Sequence, residues 1–176
     1  MICPACGTTN AMGADACTHC GGDLSALDRP QPGDAVEAAL LRDTVASLRP
    51  RPPVCVPPTA DLDRAMRVMT AEGVGAVLVT DDDGRLVGIL TERDFLTKIA
   101  GSDALALLPV LQFMTRNPET VRPDHPLAFA VRLMDVGSYR HLPVVDDGRP
   151  VGMISVRDVL RHVLDICRPR AKVGQR

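Results

Sequence analysis

An internal repeat constrains this 176-residue chain more than any other feature. Gly88-Ile89-Leu90-Thr91-Glu92-Arg93-Asp94 recurs as Gly152-Met153-Ile154-Ser155-Val156-Arg157-Asp158, and the likeness extends backward well beyond the motif. Val56, Pro58, Leu62, Ala65, Arg67, Met69, Val79 and Asp81 meet identical residues 65 positions later. One residue drops out near Asp82, the offset becomes 64, and Gly84, Arg85, Val87, Gly88, Arg93 and Asp94 match again. Two copies of one supersecondary unit therefore fill most of the chain.

In each copy an extended stretch precedes a helical pattern, with Leu62, Ala65, Met66 and Met69 in the first and Leu127, Ala130, Val131 and Met134 in the second. An apolar strand follows (76–79 or 142–145), then a turn on Asp82-Asp83-Gly84 or Asp146-Asp147-Gly148, then a second strand (86–90 or 151–154). A helix opened by Thr91 or Ser155 closes each copy. The order is strand, helix, strand, strand, helix, an α/β (α+β) unit.

Ahead of the repeats, Cys3-Pro4-Ala5-Cys6-Gly7 and Cys17-Thr18-His19-Cys20-Gly21 form two Cys-x-x-Cys knuckles. Thiolates at that spacing converge on one metal, and four of them complete a tetrahedron around Zn2+ with no open coordination position, which implies a structural role. The rival readings, redox cysteines or disulfides, require an oxidising compartment that nothing else in the chain supports. Few large apolar side chains occupy residues 1–23, so metal binding supplies most of the folding energy there. The module resembles a zinc ribbon. Its charges are Asp15 and Asp23, without Lys or Arg, so it repels phosphate backbones and favours a protein partner or a packing role over nucleic acid.

Residues 28–33 carry two prolines and a glycine and read as a hinge. Asp34 with Glu37 makes a capping-box pattern, and Val36, Leu40, Leu41, Val45 and Leu48 recur at helical spacing, which predicts one amphipathic helix over 34–48. Its apolar stripe packs on the repeats or on a second copy of the chain. Three prolines in residues 49–53 end it.

A net charge of −2 gives no general attraction to nucleic acid or anionic lipid. The basic tail of Arg168, Arg170, Lys172 and Arg176 reads as a solvated terminus. Apolar runs such as 104–108 are far shorter than the roughly 18 residues of a membrane span, and the N-terminus lacks the pattern of a signal peptide, so the expected place is the cytoplasm.

The element order, the Gly-x-x-Thr/Ser-x-x-Asp endings, the Leu142-Pro143-Val144-Val145-Asp146 strand and the lead-in Met114-Thr115-Arg116-Asn117-Pro118-Glu119-Thr120-Val121 resemble the CBS domain, named after cystathionine β-synthase, as a tandem pair or Bateman module. The resemblance implies two repeats packed about a pseudo-twofold axis, with two clefts that bind adenine nucleotides or adenosyl ligands, a regulatory role, and frequent dimerisation. The expected organisation is a zinc-ribbon module at 1–27, linker and helix at 28–49, repeats at 50–105 and 106–167, and a tail at 168–176.

A hydroxyl N-cap and an aspartate three residues later stand at the positive end of a helix dipole. On the resemblance, Asp94 and Asp158 take ribose hydroxyls, with Thr91 and Ser155 near the ribose or phosphate; either motif alone reads as a plain helix cap, and it is their pairing within the repeat that points to a ligand. Arg140 and His141 resemble phosphate contacts of nucleotide-binding members such as the gamma subunit of AMP-activated kinase, whereas the first copy has Gly75 and Ala76 there. One competent cleft and one weak or empty cleft are expected, unless Arg140 is a solvated strand-edge residue and His141 a packed neutral one. Thr120 and Val121 take the family's base or ribose position, matched in copy one by Cys55, read as an inert buried thiol, and Val56. With three Phe, one Tyr and no Trp, aromatic stacking on a base is mostly unavailable. Arg93 and Arg157 either pair with carboxylates or reach a ligand phosphate.

The leading functional expectation is a non-catalytic sensor that binds AMP, ADP, ATP or S-adenosylmethionine and passes occupancy to an unidentified protein partner, as a homodimer. The alternative is a zinc-ribbon scaffold with vestigial clefts. Scattered histidines and a saturated metal site argue against an enzyme.

Overall fold

The computed structural model describes residues 3, 5–11, 13–25, 33–99 and 107–168. The expected hinge up to residue 32, most of the 104–108 run and the tail beyond Arg168 lie outside the described residues. Helix α1 (Ala35–Arg42) precedes the first repeat: β1 (Cys55–Val56), α2 (Leu62–Glu72), β2 (Ala76–Thr80), β3 (Leu86–Thr91) and α3 (Glu92–Asp94), which widens into π-type turns over Phe95–Ile99. Then come β4 (Thr115–Arg116), α4 (Leu127–Val136), β5 (His141–Asp146), β6 (Arg149–Ser155) and α5 (Val156–Cys167). The second repeat's opening strand is reduced to a parallel bridge of Val121 on Val144. No helix of the described residues is long and apolar enough to cross a membrane.

Local chemistry sets these boundaries. Asp61 caps α2 by accepting from the Arg64 N–H at 2.6 Å, and Gly73 ends the helix in the left-handed region at φ 61°. Between β2 and β3 the Asp81 carboxylate accepts from the N–H groups of Asp83 and Arg85. The second hairpin is one residue shorter, with Asp147 and Gly148 at φ 52° and 78°, a tight two-residue turn suited to antiparallel strands. Each helix buries one stripe: Leu62, Ala65 and Met69 pack with Val77, Val79 and Leu90, and Leu127, Ala130 and Met134 pack with Leu142, Val144 and Ile154.

The two cores are not built from contiguous chain. β4, which leads into the second repeat, pairs with β3 of the first (Gly88 with Arg116, Ile89 with Thr115), and Val110 and Met114 sit in the first core. Reciprocally, Arg51 of the first lead-in bridges Met153 of β6, and Val45 is wholly buried in the second core. The crossings pass over equivalent glycines. A Cβ on Gly152 would stand 2.7 Å from Pro50 Cβ and 3.2 Å from the Arg51 carbonyl, and one on Gly88 would collide with Met114 Sδ. The hairpin tips also meet: Leu86 N–H donates to the Gly148 carbonyl at 3.0 Å.

The expected single helix over 34–48 is broken. α1 stops at Arg42, Asp43 is extended at ψ 150°, and a separate 3-10 turn covers Val45–Leu48. Val45 and Ala46 donate to the carbonyls of His125 and Pro123, each at 2.9 Å, and the Asp43 carbonyl accepts from Leu127 N–H at 2.9 Å. These bonds to the loop ahead of α4 replace those of a continuing helix, a tertiary override of propensity. Asp34 does cap α1, accepting from Val36 and Glu37, while Glu37 reaches the N–H of Gly33 rather than that of the cap residue. The apolar stripe packs on α4 and α5.

Pro50 cannot yield as a methionine side chain can. A Cβ on Gly88 would also stand 3.1 Å from the Thr115 carbonyl, so Gly152→Ala is expected to cost about 2–3 kcal/mol and Gly88→Ala about 1–2 kcal/mol, measured as a shift in urea midpoint at unchanged slope; no cost at either glycine would contradict the crossing geometry.

Candidate functional site

The closing helices of the repeats carry matching caps. Asp94 Oδ2 accepts from Thr91 N–H at 2.9 Å and Thr91 Oγ1 at 2.7 Å, and Asp158 Oδ2 accepts from Ser155 N–H at 2.8 Å and Ser155 Oγ at 2.6 Å. The remaining carboxylate oxygens differ. Asp94 is buried and its Oδ1 is held at 2.6 Å by Lys98, whereas Asp158 is partly open and its Oδ1 meets Arg161 at 3.1 Å. Burial works to raise the Asp94 pKa, but the Lys98 ammonium and the Thr91 donors outweigh it and hold the carboxyl below its usual range.

A cleft of about 1110 Å³ opens where the repeats face each other. From the second repeat, Arg140, His141, Ser155, Arg157 and Asp158 line it; from the first come Met66, Gly75, Glu92 and Phe95, with Arg51 of the lead-in. The structure thus brings together five of the nine residues expected to bind ligand. Thr91, Asp94, Thr120 and Val121 do not line it. Val121 is buried between strands, its N–H on the Pro143 carbonyl at 3.0 Å. Burial pushes the His141 pKa down, against the pull of Glu92 and Asp158, so the ring is neutral at pH 7. A neutral imidazole can donate to or accept from a ligand, and the four arginines around it supply permanent positive charge.

Arg51, Glu92 and Arg161 line the cleft without having been singled out. Arg51 arrives by the exchange of lead-ins, which no local signal announces; Arg161 follows Asp158 by one helical turn, a spacing that could have marked it. Phe95 lines the cleft while packing half-buried against the first core. Cys55, expected to be buried, is exposed on the edge strand, though partial desolvation still raises its thiol pKa. Of the paired alternatives for Arg93 and Arg157, Arg157 lies in the cleft and Arg93 does not.

At the N-terminus the sulfurs of Cys3, Cys6, Cys17 and Cys20 all lie within 4.8 Å of one another. Cys3–Cys20 and Cys6–Cys17 stand at 3.7 and 3.6 Å, close to the edge of about 3.8 Å that a tetrahedron with zinc–sulfur bonds of about 2.3 Å requires. Backbone N–H groups of Cys20 and His19 lower the Cys17 thiol to about 6, and Asn10 Nδ2 stands 3.5 Å from its sulfur. Such donors favour the Cys17 thiolate, whereas at Cys20 the Gly22 N–H is outweighed by the sulfurs of Cys6, Cys17 and Cys3, which push that thiol up to about 12. Leu24 packs under Cys3 and Cys17 as a minimal core.

A family model described as the CBS domain matches residues 45–101 and 110–165. The chain belongs to the CBS domain family. The CBS domain-containing protein CBSCBSPB5 of Arabidopsis thaliana is 38% identical over 118 residues, a match covering 66% of this chain but only 22% of that protein. The crystal structure of CBSX2 in complex with AMP is 30% identical at TM-score 0.60, covering 71% of this chain and 98% of the other. The CBS domain pair of protein MJ0100 in complex with 5′-methylthioadenosine and S-adenosyl-L-methionine is 25% identical at TM-score 0.64, covering 70% and 97%. The mixed α+β fold of tandem repeats is thus that of a CBS pair.

The Asp94 environment of the first CBS repeat generates a pH expectation. Its folded pKa is depressed, so the stability it contributes is fully present above the unfolded value near 3.8 and is lost as pH falls through the lower folded value. Denaturant melts from pH 6 to pH 2 should show Asp94→Asn converging on the wild type at the acid end; a constant difference across that range would contradict the Lys98 pairing.

Proposed function

We propose that this CBS pair is a non-catalytic sensor that binds an adenine nucleotide or adenosyl ligand in the inter-repeat cleft and relays occupancy to a protein partner. One observation carries the reading: a single cleft combines a half-open carboxylate at a helix N-terminus (Asp158, with Ser155) and arginines from three places in the chain (Arg51, Arg140 and Arg157). Two adjacent ribose hydroxyls donate to Asp158 Oδ1 in place of Arg161, and a phosphate takes the guanidinium groups. CBS structures with bound AMP, 5′-methylthioadenosine and S-adenosyl-L-methionine support the ligand class. The first repeat's equivalent site is weak, because Asp94 is buried with Lys98 and lies off the cleft, whereas Asp158 is partly open to it, and because Gly75 stands where the second repeat has Arg140. Val121, buried between strands, and Thr120, which does not line the cleft, have at most an indirect role.

In this reading the four cysteines hold a structural Zn2+, and the lead segment, packed on the second repeat, connects that module to the cleft. The apolar side chains of Leu160 and Leu164, exposed on α5, supply a face for a second copy of the chain.

A thermal-shift panel tests the ligand. AMP, ATP or S-adenosylmethionine at about 100 times Kd should raise Tm by roughly 5–10 °C. Asp158→Ala should abolish the shift, Arg140→Ala weaken binding at least about tenfold, and Asp94→Ala preserve it; no shift with any of the three ligands would remove the nucleotide reading. Native mass spectrometry tests the assembly, with two chains and two zinc ions expected, and a metal-free monomer contradicting both assignments.

A further inference from the structure

The first repeat contributes a charge to the cleft that its partner lacks. Glu92 lines the cleft, and the equivalent position of the second repeat is Val156. Its location is narrow: a Cβ on Gly75 would lie 3.3 Å from Glu92 Cδ and Oε1 and also 3.3 Å from His141 Cε1, so carboxylate and imidazole border the same few ångströms across the repeat boundary. Among the described residues no hydrogen bond or ion pair engages this carboxylate, although it acts through space on His141. Asp158, the other acid of the cleft, is balanced by Arg161, which stays beside it in charge count even where ribose hydroxyls take its place on Oδ1. Among the described residues, Arg51, Arg140 and Arg157 have no ion pair and share the cleft with the one unpaired carboxylate of Glu92.

We propose that Glu92 sets ligand preference, so that the cleft takes a nucleoside monophosphate and turns away longer phosphate chains. The inference rests on the nucleotide reading above. A phosphate held by Arg140 beside His141 has room for its two negative charges, and the surplus of two positive charges around the cleft matches them. Further phosphates added on the His141 side meet the Glu92 carboxylate, which is exposed at the cleft wall, so this like-charge approach is screened by salt and weakens binding by about tenfold at low ionic strength. Glycine at position 75 belongs to this arrangement, since any side chain there would push carboxylate and imidazole apart.

The test is calorimetric titration of the full chain with AMP and with ATP in magnesium-free buffer, for the wild type, Glu92→Gln and Glu92→Lys. The wild type should bind AMP at least about tenfold more tightly than ATP. Glu92→Gln should shrink that ratio about tenfold, chiefly by tightening ATP, and Glu92→Lys should carry it further in the same direction. A wild type that binds ATP as well as AMP, or a ratio unchanged in both variants, overturns the role of Glu92 and leaves the nucleotide reading standing. A wild type that binds neither overturns both.

Discussion

The reciprocal exchange of lead-in segments is the contact on which the rest of this structure depends. Thr115 and Arg116 complete the sheet of the first repeat and Arg51 that of the second, each crossing a glycine whose lack of a side chain permits the approach. Neither repeat has a full core without residues from the other's lead-in segment: Val110 and Met114 serve the first, Val45 the second. Their relative placement is therefore set by backbone hydrogen bonds and buried apolar area, and a cleft bounded by both halves inherits that rigidity. Arg51 stands in the cleft because its neighbour Pro50 must lie over Gly152.

Within this frame, function follows from the positions where two nearly equal copies differ. Both closing helices begin with the same hydroxyl and aspartate, and both aspartates satisfy their own N-caps. Lys98 then seals Asp94 in the interior, while Arg161 leaves Asp158 at the cleft wall. Gly75 and Ala76 face Arg140 and His141 across the pseudo-twofold, and Glu92 is opposed by Val156. Duplication supplies two scaffolds, and in the proposed reading these few side chains make one of them a ligand site and the other its wall.

Much of this was legible in the chain itself, for identifiable reasons. The repeat offset, the Asp-Asp-Gly turns and the Thr91 and Ser155 caps depend on neighbours in sequence, so residue identity alone reveals them. The paired Cys-x-x-Cys knuckles likewise announce a convergent sulfur cluster. The break at Asp43 was hidden because the groups that replace its helical bonds, on His125 and Pro123, lie some eighty residues away. Arg51 and Glu92 were missed for the same reason: their importance comes from the opposite repeat. Asp94 looked equivalent to Asp158 until Lys98 was seen to occupy it.

The central claim is that the fold presents one competent ligand site and not two. Calorimetric stoichiometry of AMP on metal-loaded chain tests it most directly. One nucleotide per chain, lost together with Ser155 and Asp158, is the result this account predicts; two equivalent sites per chain, or binding that persists without Asp158, would contradict it.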